Sequence, residues 1–280
     1  AALYQATSAG YNFLGSSGDD YIGFANNLHS TDVIDGGGSS DTLSLSGDYS
    51  AGYTFGAQNL LNIENVQVSA GAHLTTIDAN VINGATLTVY TSAGVTASYW
   101  NGAAETDSHF NFVSTGGDNV LIGGLQSDNF DLANFSHDTV TGGGGADTFN
   151  LTDVDSGTDT FVFNAVSDST GATYDTFTDM WLNISKFQIS GFATVPAAID
   201  TAVTIGTLST GSFDTDLASA VGAAKLGANH AVLFTADGGG LSGETFLVVD
   251  VNGTAGYQSG QDLVIHLDGA TGTLSTGNFI

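Results

Sequence analysis

The run Gly142-Gly-Gly-Gly-Ala-Asp147-Thr-Phe149-Asn150 sets a carboxylate just after a string of glycines and an aromatic ring two residues later. Glycine lets the backbone bend tightly and turn carbonyl oxygens inward, and the aspartate adds a charged oxygen to them. Such hard oxygens suit Ca²⁺, which takes roughly six to eight oxygen ligands in loose geometry. Phe149 then begins a short strand facing a core. The pattern is Gly-Gly-x-Gly-x-Asp-x-apolar-x.

Imperfect copies surround the complete one. Gly15-Ser-Ser-Gly18-Asp-Asp20-Tyr-Ile22 has serine in the second glycine slot, and Gly36-Gly-Gly38-Ser-Ser-Asp41-Thr-Leu43 has serine in the fourth. Asp32-Val-Ile34 keeps only the Asp-x-apolar core. A second block runs through Gly116-Gly-Asp118-Asn-Val120, Gly123-Gly-Leu-Gln-Ser-Asp128-Asn-Phe130, Asp138-Thr-Val140 and Gly157-Thr-Asp159-Thr-Phe161. Asp118, Asp128, Asp138, Asp147 and Asp159 follow one another at steps of nine to twelve residues. A coil of two strands per turn would put Asp118, Asp138 and Asp159 in one column and Asp128 with Asp147 in another. Stacked coils lie about 4.8 Å apart, so one ion could draw ligands from two of them. Glycine- and aspartate-rich turns in an ordinary β-protein without metal are the alternative.

Composition sharpens the choice. The 280 residues carry 29 acidic side chains, of which only Glu64, Glu105 and Glu244 are glutamates, against two lysines (Lys186, Lys225) and no arginine. The formal net charge is −27. The bias to the short carboxylate fits turn-borne ligands, since aspartate favours turns. At 41% hydrophobic residues the chain can build a core, yet it should repel itself unless cations intervene. The expectation is a chain loose without calcium and folded with it. Nothing here could neutralise nucleic-acid phosphates. No stretch approaches the roughly 18 apolar residues of a membrane span, and the opening Ala-Ala-Leu-Tyr-Gln does not read as a signal peptide. The absence of cysteine does not assign a compartment.

The elements that would hold these residues are mostly short strands. The sequence predicts an all-β fold: a parallel β-roll or β-helix solenoid with calcium-binding turns, plus a mostly β C-terminal cap containing one short helix. Residues 1–48 read as a first roll segment, 49–115 as solenoid without metal repeats, 116–165 as a second roll and 166–280 as the cap. Within 49–115, apolar runs around Ile63, Val66, Val68, Leu87, Val89, Val95, Phe110 and Phe112 suit further parallel coils, with an antiparallel sandwich as the competitor. The helix lies in 208–227, with Ser212 as N-cap, Asp214 and Asp216 in the first turn, Leu217, Ala220, Val221 and Ala224 on its apolar face and Gly227 as its stop. A distinct cap is expected because an open solenoid end exposes strand edges.

These repeats resemble those of RTX proteins exported by type I secretion. The stretches Ala231-Val-Leu-Phe, Glu244-Thr-Phe-Leu-Val-Val-Asp250 and Gly260-Gln-Asp262-Leu-Val-Ile-His-Leu267 are similar to the C-terminal end of Caulobacter-type S-layer proteins. Glu105-Thr-Asp107 looks like segments between RTX blocks of such proteins. The resemblance implies several calcium ions, with Asp20, Asp32, Asp41, Asp118, Asp128, Asp138, Asp147 and Asp159 as carboxylate ligands. It also implies backbone oxygens around Gly15, Gly36, Gly38, Gly123, Gly142 and Gly144. Ser16, Ser39, Leu125 and Gln126 depart from its glycines. The ending Ser275-Thr-Gly-Asn-Phe-Ile280 is compatible with an uncleaved export signal or with an ordinary last strand.

The function expected is that of a secreted, extracellular or cell-surface structural protein that folds on calcium and assembles in an S-layer-like array. Its expected partners are further copies of itself, the type I secretion apparatus and cell-surface polysaccharide. The alternative is the C-terminal folding and export module of a larger secreted enzyme or adhesin. An enzyme is not expected: the six histidines are scattered, and the zinc-helix and serine-elbow motifs are missing. Asp153, Asp155, Asp200 and Asp237 are candidates for calcium bridges between subunits, although solvated surface charge suits each of them better. Asp250-Val-Asn252-Gly253 with Asp262 resembles part of a calcium loop, against a plain Asn-Gly turn.

Overall fold

A strand begins one residue after each repeat aspartate that the structure describes in register, and the side chain two residues after that aspartate enters the core. A computed structural model describes residues 3–5, 10–91, 94, 96–132, 136–151, 157–189, 191–192 and 194–280; Val95, Asp153 and Asp155 lie outside them. The fold is an all-β parallel solenoid of about seven turns with one short helix. It divides into two compact units, 1–141 and 142–280.

In the first unit each coil contributes one strand to each of two faces. On one face Leu3–Gln5, Tyr21–Phe24, Thr42–Leu45, Asn65–Val68, Thr86–Thr91, His109–Val113 and Asn129–Asp131 pair in parallel, each with the next. On the other, Tyr53–Thr54, His73–Thr75, Tyr99–Asn101, Val120–Ile122 and Thr139–Thr141 do the same. Asn12–Leu14 pairs with Val33–Asp35 in a shorter ladder that continues through a bridge from Asp35 to Leu61. The coils of 49–115 are therefore parallel, not an antiparallel sandwich.

Register stacks like on like. Ile22, Leu43, Val66, Val89, Phe112 and Phe130 are successive partners along the first face, and all are fully buried. Leu74, Trp100, Leu121 and Val140 form the matching row opposite. A slip of one residue would turn each row to solvent, so the period-two pattern fixes the register.

In the second unit Thr148–Asn150, Asp175–Thr178 and Leu263–Asp268 run parallel, then Thr245–Val249 and His230–Thr235 add antiparallel strands. Thr160–Phe163 pairs with Lys186–Ile189. Phe149, Phe161, Phe177 and Phe187 fill the space between, with the Phe149 and Phe177 rings stacked 4.4 Å apart. The antiparallel strands and the helix Phe213–Ala220 close over Leu217, Val221, Phe234 and Phe246. Ser212 precedes that helix but does not cap it with its side chain, donating instead to Asp216. The helix stops at Ala220, before Ala224, and Val221 packs into the core from beyond its end. The C-terminal residues form a 3-10 turn, Thr276–Asn278, and Phe279 then bridges Phe187. Among the described residues no helix is long and apolar enough to cross a membrane.

Candidate metal centre

Before many of the strands the residue occupies a repeated position in which a carboxylate or amide side chain reaches back to the preceding coil. The Asp20 N–H donates to Asp41 Oδ1 at 2.7 Å, and the Asp41 N–H to Glu64 Oε2 at 2.7 Å. The Phe110 N–H donates to Asp128 Oδ1 at 2.6 Å. On the other face the Tyr11 N–H meets Asp32 Oδ1 at 2.8 Å, the Ser98 N–H meets Asn119 Oδ1 at 2.9 Å, and the Asn119 N–H meets Asp138 Oδ1 at 2.7 Å. The second unit repeats the arrangement, with the Asp147 N–H on Asp175 Oδ1 at 2.9 Å. The second carboxylate oxygen often closes its own turn: Ser16 N–H to Asp20, His29 N–H to Asp32 and Gly124 N–H to Asp128, at 2.7–2.8 Å. Each carboxylate thus staples one coil to the next, and a hydrogen bond to a charged group contributes about 1.5–3 kcal/mol net.

This position corrects the expected column at one place. Leu121 pairs with Val140, so Asn119 stands level with Asp138 and Asp118 falls one residue early. Asp118 is exposed and accepts the N–H of His137, whereas Asn119 is buried and also donates to Ser114, Gly116 and Gly117. Asp20, Asp32, Asp41, Asp128, Asp138, Asp147 and Asp159 are all buried where the strands begin. Three further members of the repeated position are Glu64 and Asp175, which no glycine run marks, and Asn119, which follows Gly116-Gly117 but stands beside the more obvious Asp118. Asp175-x-Phe177 and Asn119-x-Leu121 do keep the Asp/Asn-x-apolar spacing that would have found them.

The glycines earn their place by closeness. A side chain on Gly36 would overlap the Asn62 carbonyl of the next coil and the Asp41 carboxylate, and one on Gly142 would overlap Asp147. Gly15 is pressed in the same way against the carbonyl of Gly36. Gly38 and Gly123 donate to the carbonyls of Ser16 and Thr141, and Gly144 shares the turn of Gly142. Turns stacked this tightly bring carbonyl and carboxylate oxygens together, which is the donor set Ca²⁺ prefers. Asp41 fits a cation best. Its Oδ2 is buried with no hydrogen-bond partner, and burial together with the nearby Asp20, Asp19 and Asp35 raises its carboxyl above the ordinary range, against the lowering effect of the Asp20 N–H. At Asp20, Asp32, Asp128 and Asp138 the carboxylate already accepts N–H or O–H groups, and an ion there would have to share an oxygen through its second lone pair.

No protein-family model matches this chain, and no curated protein does. What the geometry can do chemically therefore rests on its own residues, and their charge is the decisive feature. Ten aspartates and one glutamate are buried among the described residues. The close acid–base pairs described there all use histidine, and none uses lysine. Lys186 donates to the Gly277 carbonyl instead, and Lys225 is exposed. Burial drives Asp128 up to about 7, offset by the N–H groups of Phe110 and Gly124 and nudged upward by Glu105.

Other acidic groups are committed to loops. Asp200 accepts the Gly227 N–H and lies 3.0 Å from His230 Nδ1, and Asp237 accepts the Gly206 N–H. Asp250 accepts the N–H groups of Asn229, Asn252 and Gly253, while Asp262 accepts from Asn252 Nδ2 and the Gln258 N–H. That loop is held by its own hydrogen bonds. A cluster outside the repeat brings one carboxylate oxygen each from Asp78, Glu105 and Asp107 within 4.8 Å of one another, close enough for acidic residues to hold a metal ion.

Proposed function

We propose that the chain is a secreted, calcium-binding structural protein of the cell surface that folds as calcium enters its turns and assembles in an S-layer-like array. The observation that carries this reading is the row of buried carboxylates in a chain of net charge −27 that has only two lysines and no arginine. Burying a charge is costly unless it is paired or bound to a metal. Backbone N–H groups offset part of that cost in each coil, and a divalent cation between turns would offset the rest. In low calcium the acidic chain stays loose enough for export, and outside the cell millimolar calcium stabilises only the folded form. Exposed carboxylates then offer bridging points between copies.

A calcium titration of the purified chain, followed by circular dichroism and light scattering together, tests the proposal. A gain of β-signal accompanied by ordered particles is expected. A gain of β-signal with no assembly at any calcium concentration would overturn the array and favour an export and folding module. A β-signal indifferent to calcium would overturn the calcium-folding mechanism itself.

A further inference from the structure

The stretch between the two blocks of repeats has no glycine–aspartate pattern, yet it contains the cluster of Asp78, Glu105 and Asp107. Asp78 opens the short 3-10 turn Asp78–Asn80 that follows the strand His73–Thr75. Glu105 and Asp107 lie one coil later, between Tyr99–Asn101 and His109–Val113. Two successive turns of the solenoid therefore supply the three carboxylates. Thr106 joins them, donating through both its N–H and its hydroxyl to Asp78 Oδ1 at 2.9 and 2.6 Å.

Glu105 is the unusual member. It is fully buried, while Asp78 and Asp107 are exposed. Its Oε1 accepts the N–H groups of Thr106 and Asp107 at 3.1 and 3.2 Å, but its Oε2 is buried with no hydrogen-bond partner. The following coil walls it in: the Leu125 N–H donates to the Glu105 carbonyl, and a side chain on Gly124 would press on the Glu105 stem. Asp107 accepts from Asn83 Nδ2 and the Ser108 hydroxyl. None of the three carboxylates receives a hydrogen bond from a basic side chain. A buried carboxylate with one oxygen left open, grouped with two further carboxylates, lacks only a cation.

We propose that Asp78, Glu105 and Asp107 form a calcium site of their own, clamping the turn at 78–80 to the turn at 102–108. The donor set is all oxygen, which disfavours zinc, whose protein sites are built mainly on histidine nitrogen and cysteine sulfur. Two exposed carboxylates leave room for water to complete an irregular shell, which Ca²⁺ tolerates and Mg²⁺ does not. The buried Glu105 gives the site its inner wall and the exposed pair gives it an entrance from solvent. The site does not rest on the repeat aspartates.

The test counts calcium bound to the 280-residue chain by flow dialysis, for the unmodified protein, for Glu105→Gln and for the repeat variant Asp41→Asn. The exposed double variant Asp78→Asn/Asp107→Asn is added in case Glu105→Gln fails to fold, and circular dichroism at saturating calcium checks each fold. Glu105→Gln and the double variant should each lose one ion, or bind it at least tenfold more weakly, while keeping the β-signal. The same number of ions and the same affinities in both folded variants would overturn this site while leaving the repeat reading intact. Loss of an ion in these variants with none lost in Asp41→Asn would support this site and count against the repeat at Asp41. A protein that binds no calcium at all would overturn both.

Discussion

Raising the pH from about 4 to about 8 in the presence of a chelator should strip the folded chain of most of its stability. Two buried carboxyls set the size of the effect. Burial lifts Asp262 from 3.8 to about 7, with the Gln258 N–H pulling the other way and Asp250 adding to the rise, and it lifts Asp128 to about 7 as well. The folded chain keeps these protons up to about pH 7, whereas the unfolded chain releases them near 3.8. Between those values the folded state binds more protons, so its stability falls as pH rises. A rise of about three units at about 1.4 kcal/mol each costs about 4 kcal/mol per group by pH 8. Asp41 and Glu105 are shifted in the same direction. Asp19 and Asp48 are lowered by hydrogen bonds, from Ser39 and Ser50 first of all, but both are exposed and their effect is screened by solvent. Two losses of about 4 kcal/mol compare with the 5–15 kcal/mol total stability of an ordinary protein. Urea unfolding followed by circular dichroism, at constant salt and with chelator present, should show the midpoint falling steadily between pH 4 and 8. Asp262→Asn should flatten that slope by about half. A midpoint that holds level or climbs with pH would refute the reasoning.

Two further outcomes test the coil geometry. Gly36→Ala should destabilise the chain by about 2–3 kcal/mol because the new methyl meets a carbonyl and a carboxylate, whereas Gly211→Ala, with open space around it, should fall within about 0.5 kcal/mol; urea midpoints compare the two. Asn119→Ala should cost about 3 kcal/mol, through loss of the hydrogen bonds that Asn119 makes to Ser98, Ser114, Gly116 and Gly117, while Asp118→Asn should leave the thermal midpoint almost unchanged.

Much of this architecture was legible in the sequence, because a solenoid coil is a local unit and its rules are written within about ten residues. Asp-x-apolar announces the strands at Thr42–Leu45, Asn129–Asp131 and Thr148–Asn150, and Ser212 marks the residue before the helix Phe213–Ala220. Register was harder. Gly116-Gly-Asp118-Asn-Val120 offers aspartate and asparagine side by side, and only the pairing of Leu121 with Val140 decides which of them turns inward. The helix end is hidden in the sequence because Val221 and Ala224 continue a helical spacing, although Val221 reaches the core from outside the helix. Asp78, Glu105 and Asp107 could not be grouped from sequence, since 27 residues separate the first pair and only the stacking of coils joins them. Asp175 lacked a glycine run, so its place beside Asp147 became visible only in the pairing of their strands.

Calorimetry at neutral pH, with chelator in one cell and millimolar calcium in the other at matched ionic strength, probes the role of the buried carboxylates most directly. Binding to the folded state alone contributes about 4 kcal/mol per site at a thousandfold excess over Kd, so several sites should raise the melting temperature by well over ~10 °C. Matched sodium chloride should not reproduce that rise. Identical melting curves with chelator and with calcium would mean that the hydrogen-bonded carboxylates hold the coils together without a metal.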